Sequence, residues 1–214
     1  IGTTTNGAYR LQLDKNELTH PILKGNITSI YQDSEGELWI GSWEEGLHHV
    51  KTDGTIEIFE YDAKNPYSIS SNFVRACCED NLGNIWIGTF NGLNRYDKST
   101  GLFQNHTASD AQSDGLTHSS IWCIVKDNQG TLWLGTYFGG VNYFNPEYEI
   151  YSRYMYSPIE KKGLSNPVVG RTIEDKDGNL WIGTEGGGLN YYNRRTREFK
   201  WFRPEIGPNS ISHK

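Results

Sequence analysis

The sequence predicts an all-β protein assembled from repeated four-stranded units, and three observations predict it. A ten-residue motif occurs four times, as DSEGELWIGS from Asp33, DNLGNIWIGT from Asp80, DNQGTLWLGT from Asp127 and DKDGNLWIGT from Asp175. Its tryptophans, Trp39, Trp86, Trp133 and Trp181, are spaced 47, 47 and 48 residues apart, a regularity that chance does not produce. No segment sustains the 3.6-residue apolar period of a helix, whereas short apolar runs recur between turn residues. Four short antiparallel strands per repeat of this length is the pattern of a β-propeller blade; a solenoid is the rival, but its repeats are shorter or helical.

Each element follows in order. The first strand of a unit is apolar and partly β-branched: Ile27 to Gln32, Val74 to Glu79, Ile121 to Lys126 and Val169 to Glu174. An Asp-x-x-Gly turn follows, in which Asp caps through its side chain and Gly accepts positive φ. The motif Leu-Trp-Ile-Gly is the second strand, and its Gly is expected to let a neighbouring backbone approach closely. The third strand begins at Gly46, Gly92, Gly140 and Gly188. A further turn, Lys98 to Gly101 in one copy, leads to an aromatic-rich fourth strand such as Ile56 to Tyr61 or Glu198 to Phe202. Ile1-Gly2-Thr3 reads as the tail of a fifth copy, and Asn209 to Ser212 echoes Tyr67 to Ser70 ahead of a first strand. The expected architecture is a β-propeller fragment of four complete blades plus a partial N-terminal blade. The partial blade (strands two to four) spans 1–25, blades span 26–65, 66–112, 113–160 and 161–206, and the start of a further connection spans 207–214. Such a piece is expected to form an arc or a gapped ring with exposed apolar end faces, and so to self-associate.

Composition excludes several functions. The 214 residues carry a net charge of −6, which disfavours binding driven by phosphate neutralisation, so no nucleic-acid partner is expected. No apolar run approaches the ~18 residues of a membrane span. Cys77, Cys78 and Cys123 are an odd set without CxxC spacing, which argues against a disulfide framework or a zinc site; they read as buried free thiols. His20, His48, His49, His106, His118 and His213 show no metal spacing, and His48 and His49, adjacent on a strand, point to opposite faces. No nucleophile elbow, metalloprotease motif or phosphate loop is present. No catalytic residue, metal or cofactor is therefore assigned.

The pattern D-x-x-G-x-L-W-I-G-T followed by G-G-L-N-x-Y, most complete from Asp175 to Tyr192, resembles the two-component regulator propeller repeat over essentially the whole chain. The resemblance implies part of the periplasmic ectodomain of a hybrid two-component sensor. In that family two seven-bladed propellers precede an immunoglobulin-like domain, a membrane helix, a histidine kinase and a response regulator. It further implies a carbohydrate ligand, an oligosaccharide or monosaccharide, control of polysaccharide-utilisation genes, and contacts with a second propeller and the other domains of the parent chain.

The motif residues are scaffold, and Trp39, Trp86, Trp133 and Trp181 are assigned to packing. Ligand contacts are sought where the repeats differ. The loops between strands two and three, and the openings of the first strands, share one end of each blade. They carry Trp43, Glu44, Arg75, Phe90, Trp122, Tyr137, Phe138, Arg171 and Glu185. Rings that stack on sugar C–H faces, beside fixed polar partners, suit a neutral or acidic sugar; Arg adds a bidentate contact for a uronate or sulfate. Each ring could instead pack its own loop, and Arg75 and Arg171 could pair with Glu44, Glu45 or Glu185. A protein-interaction scaffold and a propeller lyase or glycosidase remain open alternatives.

Overall fold

The computed structural model describes residues 1–15, 17–18, 22–108, 115–147, 150–159 and 162–203. His20, His213, the echo at Asn209 to Ser212 and the segment 207–214 lie outside them. Among the described residues all regular elements are strands, and no helix is long and apolar enough to cross a membrane. The chain divides into two compact units, Ile1–His106 and Thr107–Lys214.

The first unit opens with β1 (Gly2–Thr3), β2 (Gly7–Ala8), β3 (Leu11–Gln12) and β4 (Glu17–Leu18), which pair as β1–β2 and β3–β4. Two four-stranded antiparallel sheets follow in chain order. They are β5 (Ile27–Gln32), β6 (Leu38–Ser42), β7 (Leu47–Val50) and β8 (Ile56–Phe59), then β9 (Val74–Glu79), β10 (Ile85–Thr89), β11 (Gly92–Asp97) and β12 (Leu102–His106). The second unit repeats this arrangement. Its first sheet is β13 (Ile121–Lys126), β14 (Leu132–Thr136), β15 (Val141–Asn145) and β16 (Ile150–Tyr154); its second is β17 (Val169–Glu174), β18 (Leu180–Thr184), β19 (Gly188–Asn193) and β20 (Glu198–Phe202). Each sheet is one blade, and the four first strands lie where the apolar runs place them. The strand read as Ile56 to Tyr61 stops at Phe59, and beyond it the Tyr61 amide donates to the Asn72 carboxamide, 2.6 Å away.

The repeated motif is a hydrogen-bonding device. In each sheet the Asp accepts two amide N–H groups of its own turn, and its second oxygen accepts the indole N–H of the motif Trp. The indole distances are 2.9 Å for Asp33–Trp39, 2.7 Å for Asp80–Trp86, 2.7 Å for Asp127–Trp133 and 3.2 Å for Asp175–Trp181. The residue that closes the motif caps the opposite loop. The hydroxyls of Ser42, Thr89, Thr136 and Thr184 donate to the carbonyls of Gly46, Gly92, Gly140 and Gly188 at 2.8–3.0 Å. Thr3 makes the same bond to Gly7, at 2.9 Å, which marks the N-terminal segment as a copy of the motif.

At Gly2, Gly41 and Gly135 one expectation is corrected, because what approaches the motif glycine closely is a side chain and not a backbone. A Cβ on Gly41 would lie 2.7 Å from Val74 Cγ1, one on Gly135 2.6 Å from Val169 Cγ1, and one on Gly2 2.8 Å from Ile27 Cγ2. Ile27, Val74 and Val169, the β-branched residues that open β5, β9 and β17, seat themselves in the gap these glycines leave. Around these joints lie the cores. The first unit buries Trp39, Leu47, Ile69, Val74, Ile87, Tyr96 and Phe103 together; the second buries Trp133, Val141, Leu164, Val169, Ile182, Tyr192 and Phe199. The three cysteines are free and buried, and burial pushes the Cys77 thiol up to about 12, so it stays protonated and inert.

Candidate functional site

At one end of every sheet the loop between strands two and three meets the segment that leads into the first strand. The amides of Trp43, Phe90, Tyr137 and Glu185 donate to the carbonyls of Asn26, Phe73, Ser120 and Val168, each at 3.0 Å. These four residues are therefore equivalent, and three of the four are aromatic. A β-bulge lies beside them in all four sheets. The residue passed over in the first-strand register is Thr28, Arg75, Trp122 or Gly170. Bulges re-aim a side chain, and the residue at this one differs in size and charge among the four sheets.

In the first unit Phe73 is the hub. It packs edge-on against Trp43, with ring centroids 5.6 Å apart, and is tilted against Phe90 at 6.1 Å. The Arg75 guanidinium lies 4.6 Å from the centroid of the Trp43 ring. Trp43 and Phe90 remain 37% and 55% exposed, and Glu44 is exposed beside them. In the second unit Trp122 and Tyr137 stack in parallel at 5.4 Å, and Phe138 stands edge-on to Tyr137 at 4.3 Å. His118 lies 6.2 Å from Phe138, which is 54% exposed. Thus Trp43, Arg75 and Phe90 come together, as do Trp122, Tyr137 and Phe138. Arg171 and Glu185 do not join a ring cluster. Glu185 is exposed on its loop, and Arg171, opposite Gly183, shares a sheet face with Ile173 and Trp181. Phe73 and His118 escape a reading confined to the loops and strand openings. Both lie in the few residues ahead of a first strand, an aromatic-or-His signal present in the sequence.

The other end of each sheet, at the Asp-x-x-Gly turns, is charged. In the first unit Lys98 donates to the Asp33 carboxylate at 3.0 Å and approaches Glu35 at 3.4 Å and Glu79 at 3.5 Å. Glu79 in turn accepts the Ser34 amide at 2.8 Å. Burial raises the Asp33 pKa, but the Trp39 indole, Lys98 and the Glu37 amide outweigh it and hold the carboxyl below its ordinary value. His49 stacks on Trp39 at 3.8 Å and shares a 2.6 Å hydrogen bond with Glu37. Ligating atoms of Asp33, Glu37 and His49 lie within 4.8 Å of one another, a grouping the histidine spacing did not reveal. Asp33 already accepts two amides, an indole and an ammonium, so the group is an ion-pair cluster and not a vacant cage.

In the second unit Arg194 takes the place of Lys98. It donates to Asp127 at 2.7 Å, lies 3.4 Å from Glu174 and sits 5.4 Å from the Trp133 ring centroid. Glu174 accepts the Asn128 amide at 3.1 Å. Trp133, Tyr143 and Tyr154 form a row of stacked rings, 4.6 and 5.4 Å between centroids, and the Tyr154 and Tyr192 hydroxyls are hydrogen-bonded. Burial, then the bond with Tyr192, pushes the Tyr154 phenol well above its ordinary pKa. These residues, with Gln129, Thr131 and Arg197, line a cleft of ≈ 290 Å³.

The two component regulator propeller family matches residues 21–44, 68–91, 115–138 and 163–186. Each match runs from the approach to the first strand, through the Asp–Trp turn, to the loop beyond the second strand. The chain is similar to the extracellular domain of a hybrid two component system from B. thetaiotaomicron, with 18% identity and a TM-score of 0.68 over 95% of this chain and 32% of that one. It is also similar to virginiamycin B lyase from Staphylococcus aureus, with 14% identity and a TM-score of 0.68 over 94% of this chain and 64% of that one. The WD40 propeller of Doa1 gives 14% identity and a TM-score of 0.58 over 82% of this chain and 51% of that one. The chain thus spans about a third of the first of these structures and under two thirds of the others, and at such identities the likeness is one of fold. None of the curated proteins matches. The four matches, each built on the same Asp–Trp turn, show that the chain carries two component regulator propeller repeats.

Proposed function

We propose that this chain is the ligand-recognising part of a periplasmic propeller ectodomain of a hybrid two-component sensor, that it binds a carbohydrate, and that binding controls polysaccharide-utilisation genes through a kinase in the parent chain. The observation that carries the reading is the loop end of the sheets. There the Arg75 guanidinium lies over Trp43, Phe73 links Trp43 to an exposed Phe90, and Trp122 and Tyr137 lie face to face beside an exposed Phe138. Exposed ring faces and a guanidinium at bulged positions are what sugar C–H faces and acidic substituents require. The fold match to an extracellular sensor domain supports the compartment, and a second propeller and the other domains of the parent chain are proposed as partners.

The test is isothermal titration of the complete ectodomain against a panel of plant and host oligosaccharides. At least one glycan is expected to bind, and Trp122→Ala or Trp43→Ala should weaken that binding at least tenfold without lowering Tm by more than a few degrees. Silence across the panel, or full affinity in both variants, sinks the proposal. The lyase reading has one observation in its favour, the fold it shares with virginiamycin B lyase. It requires acid–base groups at a loop end, where Glu44 in the first unit and Glu185 in the second each lie exposed. Turnover of a bound glycan, lost in Glu44→Gln or Glu185→Gln, would establish it over the sensor.

A further inference from the structure

We propose that the cleft at the turn end of the second unit is a separate binding site for a single-ring organic acid, a molecule whose carboxylate or sulfate is held by Arg197 and whose hydroxyls meet Gln129, Thr131 and the tyrosine hydroxyls. Three observations carry it. The first is backbone strain. Arg197 has φ 59° and is the one non-glycine residue at positive φ among the described residues. Its amide closes the turn onto the Asn193 carbonyl at 2.8 Å, as the Gly101 amide does onto Asp97 at the same distance in the first unit, where φ is 71°. A glycine would serve this turn without strain. An arginine kept in a left-handed conformation points to a use for its side chain.

The second observation is charge. Arg194 is committed to Asp127 and Glu174, whereas the Arg197 guanidinium, on the same cleft, has no ion-pair or hydrogen-bond partner among the described residues. The third is proton bookkeeping in the phenols. The Tyr154 and Tyr192 hydroxyls are hydrogen-bonded to each other, so the pair spends one of its two protons on itself. One proton is left to donate, and Asp127 is already occupied by two amides, an indole and Arg194. An opening of ≈ 290 Å³, at the small end of ligand pockets, suits one ring and not a chain of them. The site is independent of the loop end, so it stands or falls apart from the reading given above.

The experiment titrates the intact chain with glucuronate, glucose and sodium sulfate, read by calorimetry and by the fluorescence of Trp133, which lines the cleft. Glucuronate should bind, glucose should bind at least tenfold more weakly, and sulfate should compete with glucuronate. Arg197→Gly should lose at least tenfold in glucuronate affinity while raising Tm by about 2–4 °C, because the strain is relieved; Tyr154→Phe should weaken binding with little change in Tm. Unaltered glucuronate binding in Arg197→Gly, equal binding of glucose, or binding of sulfate without glucuronate overturns the proposal. Trp122→Ala, at the loop end, should leave glucuronate affinity unchanged, and loss of it there would also count against a separate site.

Discussion

The joint inside the first unit and the joint inside the second are the same construction carrying opposite chemistry. Both set a motif Trp on its Asp, reach that Asp from the next sheet with a cation, Lys98 or Arg194, and anchor the turn amide on a glutamate, Glu79 or Glu174. Around that shared centre the first unit places Glu35, Glu37 and His49 where the second has Gln129, Thr131 and Tyr143, and Gly101 where the second has Arg197. One joint is thus acidic and closed upon its own cation; the other is uncharged in its rings and carries a surplus arginine. Residues that recur in all copies hold the sheets together, and residues that differ between copies set the chemistry at the rim.

The severest way to break this comparison is to remove its centre. Asp33→Ala and Asp127→Ala each leave a cation, an indole and two amides without their acceptor. Each should cost about 3–5 kcal/mol, the range for breaking one side of a buried pair. Asp175 makes the same turn bonds but has no cation on it among the described residues, and Asp175→Ala should cost about 1–2 kcal/mol. Urea unfolding of the three variants decides the matter. If all three cost the same, the cation adds nothing and the joints are not the units of stability that the geometry implies.

Much of this was legible beforehand because it repeats. Four copies of one motif place the strands, and the Asp cap and the Gly turn follow from their positions. The indole half of the Asp–Trp pair is not legible, since it needs the turn and the following strand folded back on each other. The bulge is hidden for a related reason: an extra residue in one strand leaves no mark in the alternation of that strand, so Arg75 and Trp122 read as ordinary strand residues. Arg171, one position past Gly170, was grouped with them, and the register instead sets it opposite Gly183. Arg197 is concealed because turn chemistry leads one to expect glycine there.

A smaller effect, and of opposite sign in two places, tests the glycine seat. Gly41→Ala and Gly135→Ala each push a methyl to within 2.7 Å of a valine of the next sheet and to 2.5 Å from Ser29 Oγ or 2.6 Å from Cys123 Sγ of the same sheet, and should destabilise by about 1–3 kcal/mol. In the last sheet the same change at Gly183 meets only the Arg171 carbonyl, at 3.7 Å. Gly183→Ala should therefore stabilise by about 0.4–1 kcal/mol through the unfolded chain. Thermal unfolding distinguishes the two signs. Destabilisation by Gly183→Ala as large as that of Gly135→Ala would show that the close side chains around Gly135 are not what the glycine answers to.

The smallest expected effect separates the units by pH. The third strands carry Asn94, Asn142 and Asn190, all fully buried, and the first unit's other sheet carries His48 at the equivalent position. Asn94 and Asn190 donate to the carbonyls of Ile87 and Ile182, and His48 stands opposite Ile40 at the same register position. Burial lowers the His48 pKa below 6.5, more than the opposing pull of Glu45 raises it. The unfolded chain therefore takes up the proton first. Stability from this residue is fully present above pH 6.5 and declines as pH falls from there toward the folded value. The slope is bounded at about 1.4 kcal/mol per pH unit for one proton. His48→Asn places here the residue that the other three sheets carry and removes the titration. Urea midpoints at pH 7.5, 6.5 and 5.5 should fall for the parent chain and fall measurably less for the variant. Equal slopes would mean that the histidine gains its proton without opening the sheet, and the acid sensitivity of the first unit would then belong to its carboxylates.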